Sequence, residues 1–233
     1  MKEQLLAKYP YKTELHAHTQ PASGCSEFYA EGLVERYRAI GVDTVVLTNH
    51  YTYDGNCQKT REQSVADYLS CYHDFVRAAE AAGIRAAFGM EIRFIGNCND
   101  YLLYGISEED VGRAYDMLDQ DIDRFYAAFK TKDNLIFQAH PFRNGITLAD
   151  PGSLDGVESF NMHPGHNSRV GIAAAYAREH GLLVCGGTDF HHAGHEGVCL
   201  MRTSRLMTSS ADVADVLRRR DFILDIGGSL VFP

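Results

Sequence analysis

The stretch TELHAHT (residues 13–19) has the alternating pattern of a half-buried β-strand. Side chains two apart on a strand share a face, so His16 and His18 stand side by side. Two imidazoles so placed either grip one divalent ion or serve as hydrogen-bonding groups on a polar strand face. Outward from this strand the pattern switches repeatedly between strand and helix. EFYAEGLVERYRAIG (27–41) reads as a helix stopped at Gly41, and VDTVVLTNH (42–50) as a buried strand. REQSVADYLSCYHDFVRAAEAAG (61–83) reads as a long amphipathic helix ending at Gly83. IRAAFGMEI (84–92) and NDYLLYGI (99–106) read as strands joined by a turn through Gly96 and Asn97. Residues 108–131 read as mostly helical, with Gly112 and the acidic run near Asp119 as candidate breaks. NLIFQAHP, GVESFN, LLVCGGTDF and GVCLMRT supply further strands, and SRVGIAAAYAREHG and SADVADVLRRR further helices. This βαβ spacing predicts a mainly parallel sheet with helices outside it. About seven strand–helix units suit a closed or nearly closed barrel better than a doubly wound sheet. With no repeat, low-complexity tract or Pro/Ser-rich linker, one domain over residues 1–233 is expected.

Composition narrows the function classes. The 233 residues carry 45% hydrophobic and 23% charged side chains, ordinary values for a soluble globular chain. A net charge of −9 argues against broad binding of nucleic-acid polymers or anionic membranes through a basic surface. It leaves a phosphorylated substrate open, since bound metal ions reverse the sign inside a cleft. MKEQLLAKYPYK at the start lacks an apolar core of signal-peptide length, and no later stretch reaches membrane-span length. Six scattered cysteines with no CxxC pair read as reduced thiols, and a cytoplasmic location is expected. Eleven histidines, many in short clusters, are the one compositional oddity.

The metal-competent residues collect at one kind of position. His16 and His18 end the first strand, His50 ends VVLTNH, and Glu91 ends FGMEI. His140 ends IFQAH, Glu158 sits in VESFN, and Asp189 with His191 ends CGGTDFH. The C-terminal ends of the strands are where α/β barrels build their sites. Imidazole and carboxylate suit zinc, manganese or iron, and a carboxylate such as Glu91 can bridge two ions. Any one of these residues alone is more often a hydrogen-bonded structural group. Their shared position makes metal binding the better reading.

The ordered set ELHAHT, TNH, GMEI, AHP, ESFN and GGTDFHH, over about residues 12–195, resembles the PHP (polymerase and histidinol phosphatase) family of metal-dependent phosphoesterases. That resemblance implies an α/β fold, a distorted (βα)7 TIM-like barrel with two or three divalent ions at its C-terminal face. It implies that His16 and His18 join Glu91 and Asp189 around one ion. Glu91 would bridge to a second ion held by His140, and His50 and His191 would hold a third. The chain departs from the family in two places. Gly24 and Cys25 of PASGCS stand where many members have an Asp or His ligand. Cys25 is either a soft thiolate ligand or merely a nearby thiol. No histidine lies near YGISEE, where some members carry one, which leaves the second site short of a named ligand. Glu14 replaces the usual Asp and still allows a supporting hydrogen bond.

The implied chemistry is hydrolysis of a small phosphorylated substrate, a nucleotide-type phosphomonoester first, by a metal-activated water. Glu91, Asp189 and His192 are the candidate catalytic groups, with His192 or His195 assisting the leaving oxygen. Arginine suits phosphate best, and Arg143, Arg169 and Arg93 are the candidates in that order. His163 and His166 share a loop with Arg169 and reach toward substrate or belong to a polar loop. Three other functions remain: a histidinol-phosphate phosphatase, an amidohydrolase-type metal hydrolase, and a non-catalytic binder of metal and phospho-ligand. Amidohydrolase barrels also open on HxH, but they place their bridging group and later histidines on other strands.

Overall fold

The computed structural model describes residues 1–233. Helix α1 (Lys2–Lys8) leads into β1 (Tyr11–Ala17), and α2 (Ala30–Ala39) returns the chain to β2 (Thr44–Leu47). The same path resumes as β3 (His50–Thr52), then the single turn α3 (Tyr53–Asn56) and the long α4 (Arg61–Ala82). Next come β4 (Arg85–Phe88), β5 (Met90–Arg93), β6 (Tyr101–Tyr104), α5 (Glu109–Tyr115) and α6 (Ile122–Phe129). They are followed by β7 (Leu135–Gln138), β8 (Gly156–Asn161), α7 (Val170–Glu179) and β9 (Leu183–Gly187). The chain finishes with β10 (Cys199–Thr203), α8 (Ser210–Arg219), β11 (Phe222–Ile226) and β12 (Ser229–Val231). Local chemistry sets the helix ends. At the start of α4, Thr60 and Gln63 cap each other's backbone N–H groups, and Gly83 closes the helix in the left-handed conformation at φ 75°.

The strands form two sheets, in the orders β12-β11-β10-β1-β2-β4 and β3-β5-β6-β7-β8-β9. Two strands bend from one sheet into the other. β2 continues as β3, and β4 continues as β5 through Gly89. The expected single strand IRAAFGMEI is therefore two strands. Gly89 marks the corner because a Cβ there would lie 2.8 Å from Val46 and 2.9 Å from Thr48. On the far side, Ala17 and Phe190 bridge β1 to the chain just beyond β9, with Phe190 N donating to His16 O and His18 N to Phe190 O. The staves around the barrel are β1, β2 with β3, β4 with β5, β6, β7, β8 and β9. This is the expected distorted TIM-like barrel of seven.

The sheet is less parallel than expected. Parallel pairs are β1–β2, β2–β4, β3–β5, β7–β8 and β8–β9. Antiparallel pairs are β1–β10, β10–β11, β11–β12, β5–β6 and β6–β7. The reason for the reversal at β6 is length: residues 94–100 are too few for a parallel crossover. The helical region 108–131 breaks at the expected acidic run around Asp119, between Tyr115 and Ile122, but not at Gly112, which stays inside α5.

Helix α8 covers the bottom of the barrel. Its Ser210 Oγ accepts from the N–H groups of Gly105 and Ile106 at 2.8 and 3.2 Å. Val213 and Leu217 of this helix join Leu15, Val46, Tyr104 and Phe137 in one buried cluster. A second cluster packs Met90, Ile92 and Tyr101 against Phe125 and Phe129 of α6. A third packs Val45, Leu47 and Phe190 against α2 and Phe75 of α4. With the bottom sealed by apolar side chains, polar groups collect at the opposite mouth. No helix is long and apolar enough to cross a membrane.

Gly187 lets β9 approach β1: a Cβ there would lie 2.6 Å from His16 Cβ and 3.1 Å from His16 N. Gly187→Ala is expected to lower stability by roughly 1–3 kcal/mol, as overpacking does, and to displace His16. Urea unfolding and metal analysis of the same preparation check both effects.

Candidate metal centre

The strand ends deliver the predicted residues to one place. His16 and His18 leave the end of β1, His50 opens β3, and Glu91 lies in β5 opposite His50 in the parallel register. His140 follows β7, and Asp189 and His191 follow β9. His140 and Asp189 both hold left-handed backbone conformations, at φ 31° and 56°. Such conformations in non-glycine residues cost about 1–3 kcal/mol each and concentrate at functional sites. Three groups lie with their ligand atoms within 4.8 Å of one another: His16, His18 and Glu91; His18, His50 and His191; Glu91, Asp100 and His140.

The surrounding hydrogen bonds decide which nitrogen of each ring is bare. His16 Nδ1 donates to Glu158 Oε1 at 2.8 Å, which turns Nε2 toward the centre as the ligand atom. Ser23 Oγ donates to Asn49 Oδ1 at 3.0 Å and accepts from His50 N, so its contact with His18 Nδ1 at 3.0 Å is a bond it accepts. His18 Nε2 is bare in turn. His191 Nδ1 donates to the Asp189 carbonyl at 2.9 Å. These supports were not foreseen in the sequence, where Ser23 belongs to an unremarkable loop and Glu158 stood among the ligand candidates. Glu158 also accepts from His140 N and Asn161 Nδ2, so its carboxylate is a brace between strands.

The bare nitrogens face carboxylate oxygens. His16 Nε2 lies 3.3 Å from Glu91 Oε1 and 3.5 Å from Asp189 Oδ1. His18 Nε2 lies 3.4 Å from both Glu91 Oε2 and Asp189 Oδ1, and His140 Nε2 lies 3.3 Å from Glu91 Oε1. No hydrogen bond satisfies His16 Nε2, His18 Nε2 or either oxygen of Glu91, although all are buried. Unpaired buried acceptors facing one another repel unless a cation lies between them. Two ligands each about 2.0–2.2 Å from one ion in tetrahedral array stand roughly 3.3–3.6 Å apart, and the observed spacings fall in that range. The residues present fit a divalent metal centre. The field agrees. Burial raises the pKa of Glu91, but the facing His16 and His50 outweigh it and hold the carboxyl well below its usual range. Burial likewise opposes ionisation of Asp189, and His16 and neighbouring hydrogen bonds overcome it. For His18, burial and the adjacent His191 and His50 push the pKa well down, toward the neutral ligand form.

Asp100 joins Glu91 and His140 in a group able to hold an ion, and it is a residue the sequence reading did not name. Because β6 runs against its neighbours, the residue just before it, not after it, sits at the mouth. Asp100 Oδ2 lies 3.7 Å from His140 Nε2. A signal was available: the short connection through Gly96 and Asn97 implies a hairpin, and a hairpin reverses which strand end faces the site.

The family model of the PHP domain matches residues 14–228. The chain belongs to the PHP domain family. It is similar in structure to a two-domain protein of Bacteroides vulgatus ATCC 8482 that contains a predicted PHP-like metal-dependent phosphoesterase, with TM-score 0.63 and 16% identity. That match covers 93% of this chain, which spans 64% of the other. A candidate metal-dependent phosphoesterase of Bifidobacterium adolescentis ATCC 15703 is similar at TM-score 0.52 and 19% identity, over 89% of this chain and 96% of that one. PsfC from Pseudomonas syringae PB-5123 is similar at TM-score 0.60 and 14% identity, over 88% and 87%. At these identities the likeness is one of fold. No curated protein matches the chain in sequence.

Around the PHP domain's ligand cluster, a pocket of about 230 Å³ is lined by Cys25, Arg93, Arg143, His166 and His192 among others. Arg143 is poised there, 3.8 Å from Asp100 Oδ2 and 3.5 Å from His166 Nδ1. Arg93 also lines the pocket, but both arms of its fork grip Asp100 at 2.7 Å. Arg169 is not brought to the pocket: its guanidinium donates to the Phe142 carbonyl and to Asn144 Oδ1. His192 stands at the rim, with Nδ1 3.1 Å from Glu27 Oε1. His163 packs on His166 at 3.9 Å between ring centroids and meets His195 edge-on at 5.0 Å. Burial raises the Cys25 thiol, but the facing His191 and His50 rings outweigh it and bring its pKa down to about 6. All six cysteines are free.

Two substitutions separate ligand from brace. Asp100→Asn is expected to release one ion per chain while the remaining metal stays bound, as read by metal analysis after dialysis. Glu158→Gln is expected to weaken metal affinity by about 10–100-fold with no change in far-UV circular dichroism, the usual effect of losing a histidine's carboxylate partner. Full affinity in the Glu158→Gln protein would show that His16 needs no such support.

Proposed function

We propose that this PHP domain hydrolyses a small phosphorylated metabolite, a nucleotide-type phosphomonoester, at a centre of two or three zinc, manganese or iron ions. The proposed ligands are His16, His18, His50, Glu91, His140, Asp189 and His191, with Asp100 added beside His140. The observation that carries this reading is Glu91, a fully buried carboxylate whose oxygens have no hydrogen-bond donor and face four histidines. Divalent ions bound there supply a water of lowered pKa and offset charge on the phosphate oxygens.

The chain's own groups do the rest. Arg143 offers a planar fork at the pocket wall, suited to two phosphate oxygens. Arg93 reaches the same wall and holds Asp100 in place. Arg169 acts one step back, by fixing the Phe142–Asn144 segment that carries Arg143. Glu91 and Asp189 keep the histidine ring nitrogens of both strand ends in one array. His192 pairs through Nδ1 with Glu27 and has Nε2 left to protonate the leaving oxygen.

Release of inorganic phosphate from p-nitrophenyl phosphate and a panel of nucleoside monophosphates, with manganese added, tests the reading. Turnover is expected, and Arg143→Ala should raise KM by about tenfold with little change in metal content. His192→Ala should lower kcat on alkyl phosphates by about 10²–10⁴-fold, the range for a lost general acid. Its effect on p-nitrophenyl phosphate should be much smaller, because that leaving group needs no proton. Metal-loaded protein without turnover on any phosphoester would make the domain a ligand-binding module. Turnover of amides or lactones in place of phosphoesters would make it an amidohydrolase-type enzyme.

A further inference from the structure

A larger cavity opens beside the metal mouth. It measures about 560 Å³, against about 230 Å³ for the mouth itself, and His50 lines both. Its walls are the Pro21–Ala22 turn, the segment from His50 to Lys59 and one face of α4. The turn is anchored to the centre, since the next residue, Ser23, holds both His18 and His50 N. The buried floor is a closed chain of hydrogen bonds. Tyr51 and Ser64 hydroxyls meet at 2.6 Å, Ser64 donates to Asn56 Oδ1 at 2.6 Å, and Asn56 Nδ2 donates to Thr52 O at 2.8 Å.

The charges of the two cavities differ in kind. Arginines 93 and 143 line the mouth. In the larger cavity the one lysine, Lys59, is already paired with Asp67 at 2.8 Å, and Asp74 adds a second carboxylate to the same wall. Asp74 takes its own partner from Arg77, which is not part of the lining. Away from His50 at the metal end, an anionic group entering there meets two carboxylates, each already paired, and no unpaired lysine or arginine. A hydroxylated or amide-bearing group meets Ser70, Asn56, Thr52 and the Lys59–Asp67 pair.

We propose that this cavity receives the organic part of the phosphoester, and that the part it accepts is polar and carries no second anionic group. The inference rests on the phosphoesterase reading of the metal centre. The scissile oxygen then lies near His50, with phosphate on the arginine side and the alcohol on the α4 side. Phosphomonoesters of nucleosides or polyols fit this division, and sugar bisphosphates of similar size do not. A cavity of about 360 Å³ on the other flank is lined by Arg143, Asn144 and His166 and would suit the opposite preference, a second anion.

The manganese-loaded full chain carries the test. Ser70 is an exposed residue of α4 that lines the cavity, so Ser70→Trp fills the space without entering the core. For a nucleoside monophosphate, KM is expected to rise by about tenfold or more while the inhibition constant of inorganic phosphate stays the same. An unchanged KM, or the same loss on both ligands, overturns the proposal. So does a larger KM effect from Asn167→Trp, which fills the flank beside Arg143. Asp67→Lys with Asp74→Lys should shift relative kcat/KM toward a sugar bisphosphate by about tenfold, and an unshifted ratio refutes the charge argument. Failure of the unmodified protein to turn over any phosphoester strikes the phosphoesterase reading first. Turnover that is indifferent to Ser70→Trp strikes this inference alone.

Discussion

Glu91 sits fully buried in β5 with both carboxylate oxygens bare. An ionised carboxylate removed from water costs several kcal/mol unless charge or hydrogen bonds compensate it. Four rings on three segments surround it, His16 and His140 at one oxygen and His18 and His50 at the other, and a cation held among them would supply that compensation. Each of those rings must arrive at a fixed angle, so the strand ends are not free to vary. The parallel register that sets His50 opposite Glu91, and the glycine at 187 that lets β9 close on His16, are consequences of serving this one group.

The supports around the cluster share a design. Glu158 braces His16 and the backbone of His140, Ser23 braces His18 and His50, and the Asp189 carbonyl braces His191. Each brace takes the proton-bearing nitrogen or an N–H group and so turns a lone pair toward the centre. Backbone strain at His140 and Asp189 belongs to the same picture, because the chain must turn sharply past the strand to present the ligand. The apolar seal at the other end, with α8 against β6, offsets such local losses through burial.

Polarity is also divided across the mouth. Arginines 93 and 143 give one side a positive lining, while α4 turns Asp67 and Asp74 toward the other. A chain with net charge −9 therefore builds its anion-attracting region locally, from guanidinium groups and the cation-binding cluster, within an acidic surface. The local field at the mouth therefore differs from the protein's overall sign.

A strand's period of two and the position of strand ends picked out eight metal-competent residues, Glu158 among them, and the resemblance carried by TELHAHT, TNH, GMEI, AHP and GGTDFHH narrowed these to seven candidate ligands. The same local rules carried the helices and most strands. They failed wherever direction mattered: β6 runs backwards, half the pairings are antiparallel, and IRAAFGMEI divides at Gly89 between two sheets. Asp100 was hidden for that reason, since a residue before a strand reaches the mouth only when the strand is reversed. Glu158 was visible as an acid but not as a brace, and Arg169 was visible as a cation but not as one occupied by its neighbouring loop. Residue type and spacing determined which groups were able to bind metal. Only the folded chain decided which of their atoms are left bare, because that depends on hydrogen bonds between segments as far apart as His16 and Glu158.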